Sequence, residues 1–184
     1  MNDKMQELMK KRIYLLFLLL IYSWTFIGCH NEQKEEKLND GLICYTETGK
    51  DGESLKGVKR LADGKILVEP APYESVTADS CFIIARKSTY SLEVWKTDGT
   101  RIGRFDTFTG FGGRYYMGTR YKTTCYYFPR YDVLVCTEQV KQGVHVVGLK
   151  TEEGWEVRSY EGKLVWQGTD EPDLQAVDKQ FVTE

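Results

Sequence analysis

The body of the chain predicts an all-β fold, with tandem antiparallel β-hairpins stacked as a repeat, propeller-like or solenoid-like, and a short C-terminal helix. Three observations carry this. Short runs rich in Val, Ile and aromatics (KILVE, CFIIA, LEVW, VLVCT, VHVVGL, WEVRSY and KLVWQG) recur from residue 65 onward, as half-buried strands do. Turn pairs Asp63-Gly64, Asp98-Gly99 and Glu161-Gly162 separate apolar runs, and Asp-Gly in that setting is a strong hairpin signal. Finally, LEVWKTDGTRIGRF (92–105) aligns without gaps on WEVRSYEGKLVWQG (155–168), an offset of 63.

Each element follows from these signals. VKRLADGKILVEP carries its Asp-Gly 35 residues before the pair at 98. Offsets of 35 and 63 suit a unit of roughly 30 to 35 residues, with one copy's turn degraded between them. A second signal, aromatic–acid–any–apolar, follows the turns at Tyr73-Glu74-Ser75-Val76 and Phe105-Asp106-Thr107-Phe108, and recurs at Tyr131-Asp132-Val133-Leu134. Proline ends a strand, the ring packs on the preceding hairpin, and the acid takes backbone donors. At the C-terminus, EPDLQAVDKQF places Leu174, Val177 and Phe181 on one helical face, with Pro172 in the first turn.

The stretch DGKILVEPAPYESV (63–76) resembles the second half of a WG-repeat (KWG-type) unit: turn, apolar strand, then proline, aromatic and acid. The resemblance covers about residues 55–168 as some four units. It departs from the pattern in lacking the Trp-Gly pair, and DGTRIGRFDTF lacks the proline. It implies a scaffold of stacked hairpins used as an interaction surface, in which stacking supplies the core that no single unit can bury.

The N-terminal segment has a different character. Lys10, Lys11 and Arg12 precede an apolar run from Ile13 to Ile27, shorter than the ~20 residues of a spanning helix. This is the layout of a secretory signal. Met9 begins a typical signal start, which would make residues 1–8 an extension. Phe26-Ile27-Gly28-Cys29 resembles the lipobox of bacterial lipoproteins, with Phe in place of the usual Leu. The resemblance implies removal of the 1–28 signal peptide, lipidation of Cys29 and attachment to the membrane through it. His30 in place of Asp after the cysteine favours the outer membrane. Residues 29–40 are charged and read as a disordered tether, with KEEK at 34–37 similar to a short acidic export signal. Residues 41–184 then form a single β-repeat domain.

Composition excludes several functions. Residues 1–28 hold four Lys/Arg and two Asp/Glu, leaving 21 basic and 25 acidic residues and a net charge of −4, unlike the basic domains that bind nucleic acid. Besides Cys29 the chain has Cys44, Cys81, Cys125 and Cys136, which allow three pairings in a compartment where disulfides persist. A turn centred on Arg130-Tyr131 sets Cys125 opposite Cys136, so these two are the candidate disulfide, against buried free thiols. No CxxC or His cluster suggests a metal, and no cofactor is indicated. Of the two histidines, His30 lies in the tether and His145 in a strand-like run, so no Ser-His-Asp or Cys-His set emerges. GFGGRYY (110–116) lacks the strand and helix of a dinucleotide loop.

The richest stretch is RYYMGTRYKTTCYYFPRY (114–131). Arg and Tyr are enriched at interfaces, so Arg114, Tyr116, Arg120, Tyr121 and Arg130 are the candidate partner-binding residues, against ordinary core and amphipathic surface. Strand alternation puts Arg114, Tyr116 and Arg120 on one face. The expectation is a lipid-anchored, non-enzymatic envelope module that binds a protein or glycan. Alternatives are an immunity-type lipoprotein that neutralises a secreted toxin, or an envelope carbohydrate hydrolase.

Overall fold

A computed structural model describes residues 34–183; Cys29 and the signal segment lie outside the described residues. Among the described residues sixteen strands form four antiparallel meanders, each of four strands taken in chain order. Sheet 1 holds β1 (Lys34–Lys37), β2 (Leu42–Thr48), β3 (Ser54–Arg60) and β4 (Ile66–Ala71); sheet 2 holds β5 (Ser75–Ala78), β6 (Phe82–Ser88), β7 (Ser91–Lys96) and β8 (Arg101–Phe105). Sheet 3 holds β9 (Thr107–Phe111), β10 (Tyr115–Arg120), β11 (Thr123–Phe128) and β12 (Val133–Thr137). Sheet 4 holds β13 (Val140–Gln142), β14 (Val146–Thr151), β15 (Gly154–Ser159) and β16 (Leu164–Gly168), and helix α1 (Leu174–Thr183) follows.

The repeat is thus one four-stranded sheet per unit. Its β3–β4, β7–β8 and β15–β16 turns carry Gly64, Gly99 and Gly162. The residue at the matching place in the β11–β12 turn is Asp132, whose φ is 54° against 96° for Gly99. Asp tolerates the left-handed region better than most side chains, so the turn survives without its glycine. This corrects the alignment of Tyr131-Asp132 with Tyr73-Glu74. The latter links sheets 1 and 2, and Phe105-Asp106 leads from sheet 2 into sheet 3. Tyr131-Asp132 instead lies within sheet 3, in the turn before β12.

Three apolar clusters alternate with the four sheets. Val58, Val68 and Tyr73 meet Ile83 and Ala85 between sheets 1 and 2. Phe82, Val94 and Phe105 meet Phe108, Tyr116 and Tyr127 between sheets 2 and 3. Tyr126 and Phe128 meet Val147 and Leu149 between sheets 3 and 4. Successive residues of β6 and β11 therefore point into different clusters, as the two-residue period of a strand requires. Sheets 2 and 3 are covered on both faces, which is why CFIIA reads as continuous apolar sequence. Phe82 is the hub of the second cluster, with its ring edge-on to those of Phe108, Tyr116 and Tyr127 at 4.5–5.3 Å, the geometry aromatic quadrupoles favour.

Two boundaries move relative to the sequence expectation. The tether gives way at Lys34, because KEEK forms β1 and pairs with β2 from Lys34↔Thr46 to Lys37↔Ile43. All four side chains are exposed; the strand is held by backbone hydrogen bonds to β2 and by an ion pair from Lys59 of β3 to Glu35 at 2.5 Å. Charged side chains on such an edge also discourage pairing with another chain. At the other end, Pro172 precedes α1 rather than opening it. Asp173 is the N-cap, its Oδ1 accepting from the backbone N–H of Gln175 and Ala176. Leu174, Val177 and Phe181 are the half-buried apolar residues of α1, and Leu174 packs over Gly148 on the outer face of sheet 4.

Candidate functional site

Because the meanders share one direction, the domain has two turn-bearing ends. One, the outer-turn end, gathers the turns that join the first two and last two strands of every sheet. The other, the central-turn end, gathers the β2–β3, β6–β7, β10–β11 and β14–β15 turns with the links between sheets. The predicted binding residues divide between them. Arg114 and Arg130 lie in the β9–β10 and β11–β12 turns of the outer-turn end. Arg120 and Tyr121 lie at the β10–β11 turn of the central-turn end.

Tyr116 belongs to neither surface. It is 3% exposed in the second apolar cluster, and its hydroxyl donates to Asp79 Oδ2 at 2.9 Å. Burial, then the bonds to Cys81 and Asp79, push its pKa well above that of a free tyrosine. The single binding face expected on β10 fails for a simple reason. Both sides of this central strand are covered, so alternation sorts its residues between two cores rather than between core and solvent.

At the outer-turn end, side chains are spent on holding turns and sheets together. Asp79 Oδ1 accepts from the N–H of Cys81 and Phe82 at 2.7 and 2.8 Å, and its carbonyl accepts from Asn39 of sheet 1. Lys96 of sheet 2 and the Tyr127 hydroxyl both donate to Asp132 Oδ1 at 2.5 Å; the Lys96 bond and then the Tyr127 bond hold its carboxyl below the usual range. Arg130 is 3.8 Å from Glu161 of sheet 4. In sheet 4 the β13–β14 turn receives its cap from outside: Asp178 of α1 accepts from the N–H of Val144 at 2.7 Å and of His145 at 3.2 Å. Burial works to raise the Asp178 pKa, but these two backbone bonds and the His145 ring outweigh it and the net shift is downward. His145 Nδ1 lies 3.1 Å from Asp178 Oδ1, in a turn rather than within a strand. Among the described residues no hydrogen bond joins His145 to a serine or cysteine, and no His/Cys/Asp/Glu group gathers to hold a metal.

The central-turn end is built differently. Tyr121 is 87% exposed and Tyr90, at the neighbouring β6–β7 turn, 75%. The Tyr121 backbone is left-handed, with φ 57°, and its N–H donates to Asp106 Oδ2 at 2.7 Å. Asp106 is the one residue between β8 and β9. Arg120 lies over the Phe105 ring at 5.0 Å, and its Nε donates to the Arg104 carbonyl at 2.8 Å. Arg104 Nε in turn donates to Ser91 Oγ at 3.0 Å, which ties this end of sheets 2 and 3 into one rigid surface. Tyr90 carries no repeat signature and escaped the sequence reading. Its exposure comes from its place at the tip of the β6–β7 hairpin, just before Ser91.

Inside the stack, Glu93 is, among the described residues, the buried acid between sheets 1 and 2. It accepts from the Tyr73 hydroxyl at 2.9 Å and Lys87 at 3.0 Å, and Arg101 is 3.3 Å away. Burial pushes its pKa up, but Lys87, Tyr73 and Arg101 together bring it below the usual value. An acid so fully partnered holds sheets together and has no free oxygen for proton transfer. Cys125 and Cys136 are directly opposite each other on β11 and β12 and are joined in a disulfide. Cys44 and Cys81 are free thiols.

No protein-family model matches the chain, and no curated protein matches it. Among solved structures it is similar to HIRA(644–1017), at 15% identity over 72% of this chain and 52% of that one, with a TM-score of 0.33. It is also similar to the computationally designed Ika8 protein (13% identity, 73% and 48% coverage, TM-score 0.30). A third is the WD40 domain of Toxoplasma gondii coronin (10% identity, 73% and 44% coverage, TM-score 0.26). The chain spans about half the length of each of these. Its all-β repeat architecture rests on its own strand pairing.

Proposed function

We propose that this chain is a lipid-anchored, non-enzymatic β-repeat module that binds a protein or glycan partner at the cell envelope through its central-turn end. The observation that carries this reading is Tyr121. A bulky residue in the left-handed region costs on the order of 1 kcal/mol relative to glycine, and here the ring buries almost nothing in return. Such strain gathers at functional sites. Arg120 beside it is held by the backbone and by Phe105, so the pair reaches a partner pre-ordered. Anchoring rests on the lipobox-like Phe26-Ile27-Gly28-Cys29, and His30 supports delivery to the outer membrane.

Two measurements test the two halves. A photo-crosslinking residue at position 121 should give a discrete adduct in intact envelopes, and one at position 114 should not; adducts at neither position sink the binding reading. Cys29→Ala should abolish labelling by a fatty-acid probe, and continued labelling rules out the anchor.

A further inference from the structure

The arginines of the domain are not distributed evenly with respect to their partners. Arg60, Arg101, Arg130 and Arg158 each face a carboxylate. Among the described residues Arg86, Arg104, Arg114 and Arg120 do not, and three of these four lie at the central-turn end of sheets 2 and 3. Each of the three is instead held by an uncharged acceptor: Arg86 by the Thr89 carbonyl, Arg104 by Ser91 Oγ, and Arg120 by the Arg104 carbonyl. Lys122 adds a fourth cation, 5.8 Å from the Tyr121 ring centre. Two carboxylates lie next to this group: Asp106, engaged by the Tyr121 N–H, and exposed Glu74, whose N–H donates to the Arg86 carbonyl. The matching turns of sheets 1 and 4 are net acidic: Asp51 and Glu53 outnumber Lys50 in the first, and Glu152 and Glu153 stand in the second, all exposed. A positive strip therefore crosses sheets 2 and 3 and stops at an acidic border on each side.

We propose that this strip, Arg86, Arg104, Arg120 and Lys122 with the rings of Tyr90 and Tyr121, is a binding surface for an acidic polysaccharide whose sugar units carry carboxylates. The proposal rests on the binding-module reading and names its partner. Guanidinium groups already fixed by neutral acceptors keep their remaining N–H donors for a planar carboxylate, which arginine takes two-pronged. Exposed tyrosine rings offer a negative face, against which the C–H face of a pyranose packs. A uronic-acid unit supplies both features on one ring. An acidic peptide fits less well. Hot-spot aromatics at protein interfaces depend on surrounding contacts that exclude water, whereas these two rings stand at hairpin tips among cations.

The test is titration calorimetry of the full-length protein in neutral detergent with oligogalacturonate, its fully methyl-esterified form and poly-L-glutamate. The wild type should bind oligogalacturonate, fail to bind the ester, and bind polyglutamate more weakly. Joint Tyr90→Ser and Tyr121→Gly should cut oligogalacturonate affinity about tenfold, two aromatic contacts at their usual worth. Joint Arg86→Gln, Arg104→Gln and Arg120→Gln should cut it at least as far, and Arg114→Gln with Arg130→Gln should leave it unchanged. If the triple arginine variant does not fold, the tyrosine pair alone decides the matter. Equal affinity for polyglutamate that ignores the tyrosines overturns the proposal in favour of charge alone. Absence of oligogalacturonate binding overturns it outright. Neither result bears on the binding-module reading, which the crosslink from position 121 reports independently.

Discussion

The two ends of the stack use the same residue types for opposite purposes. At the outer-turn end, Asp79, Asp132 and Asp178 accept backbone or side-chain donors, and Lys96 and Arg130 face acids on neighbouring turns or sheets. At the central-turn end, arginines are held by carbonyls and a hydroxyl and keep their charge unpaired, and tyrosines stand in solvent. Polar groups that satisfy one another rigidify a fold. Polar groups fixed but unneutralised are available to something else. The difference teaches that a repeat scaffold can divide holding from presenting by end, while its sheet faces are consumed by stacking.

Substitutions can break this contrast, and their expected effects fall off in order. Asp79→Ala removes acceptors for two backbone N–H groups and strands the buried Tyr116 hydroxyl; denaturant unfolding should show a loss of about 3 kcal/mol. Next, joint Cys125→Ser and Cys136→Ser opens a cross-link with a sequence separation of 11 and should cost about 2–3 kcal/mol. A milder loss, about 1 kcal/mol near neutral pH, is expected for Glu93→Gln. Its pH dependence is the sharper readout. The folded pKa of Glu93 lies below its unfolded value of about 4.3, so its contribution is complete above that value and disappears as pH falls through the folded one. Wild type and variant should therefore differ by a constant amount above about pH 5 and converge in acid.

The smallest effects carry the contrast itself. Tyr121→Gly should stabilise the domain by about 0.5 kcal/mol, because glycine relieves the left-handed strain, while it weakens partner binding. A stabilising change that harms function separates presentation from holding within one residue. Arg114→Gln, by contrast, should shift stability by less than about 0.5 kcal/mol and leave partner binding intact.

How much of this was legible in the sequence depended on the physical source of each signal. Asp63-Gly64, Asp98-Gly99 and Glu161-Gly162 announced three of the four sheets, since the left-handed position favours glycine so strongly. Asp132 concealed only the kinship of the fourth turn with the other three, because its side chain tolerates the backbone that they give to glycine. β1 was invisible, as an edge strand held by main-chain hydrogen bonds imposes no apolar pattern on Lys34–Lys37. The opposition of Cys125 and Cys136 could be counted from the turn between them. Tyr116 was misplaced because period-two alternation cannot distinguish inside from outside when both faces are inside. Tyr90 gave no local sign at all, because an exposed residue at a hairpin tip imposes no apolar or glycine pattern on the sequence.

Asp178 has a further consequence. Sheets 1 and 2 cap their first turns with their own Asn39 and Asp79, whereas sheet 4 takes that acceptor from α1. Helix and last sheet thus form a matched terminal pair that any lengthening of the array must carry along intact. Duplication of a unit is compatible with the architecture upstream of Val140, where sheets 1 and 2 cap their own first turns and the β9–β10 turn of sheet 3 closes on its own backbone, Arg114 N–H to the Phe111 carbonyl. The number of sheets, and with it the width of the surface presented, can then change without redesigning the end.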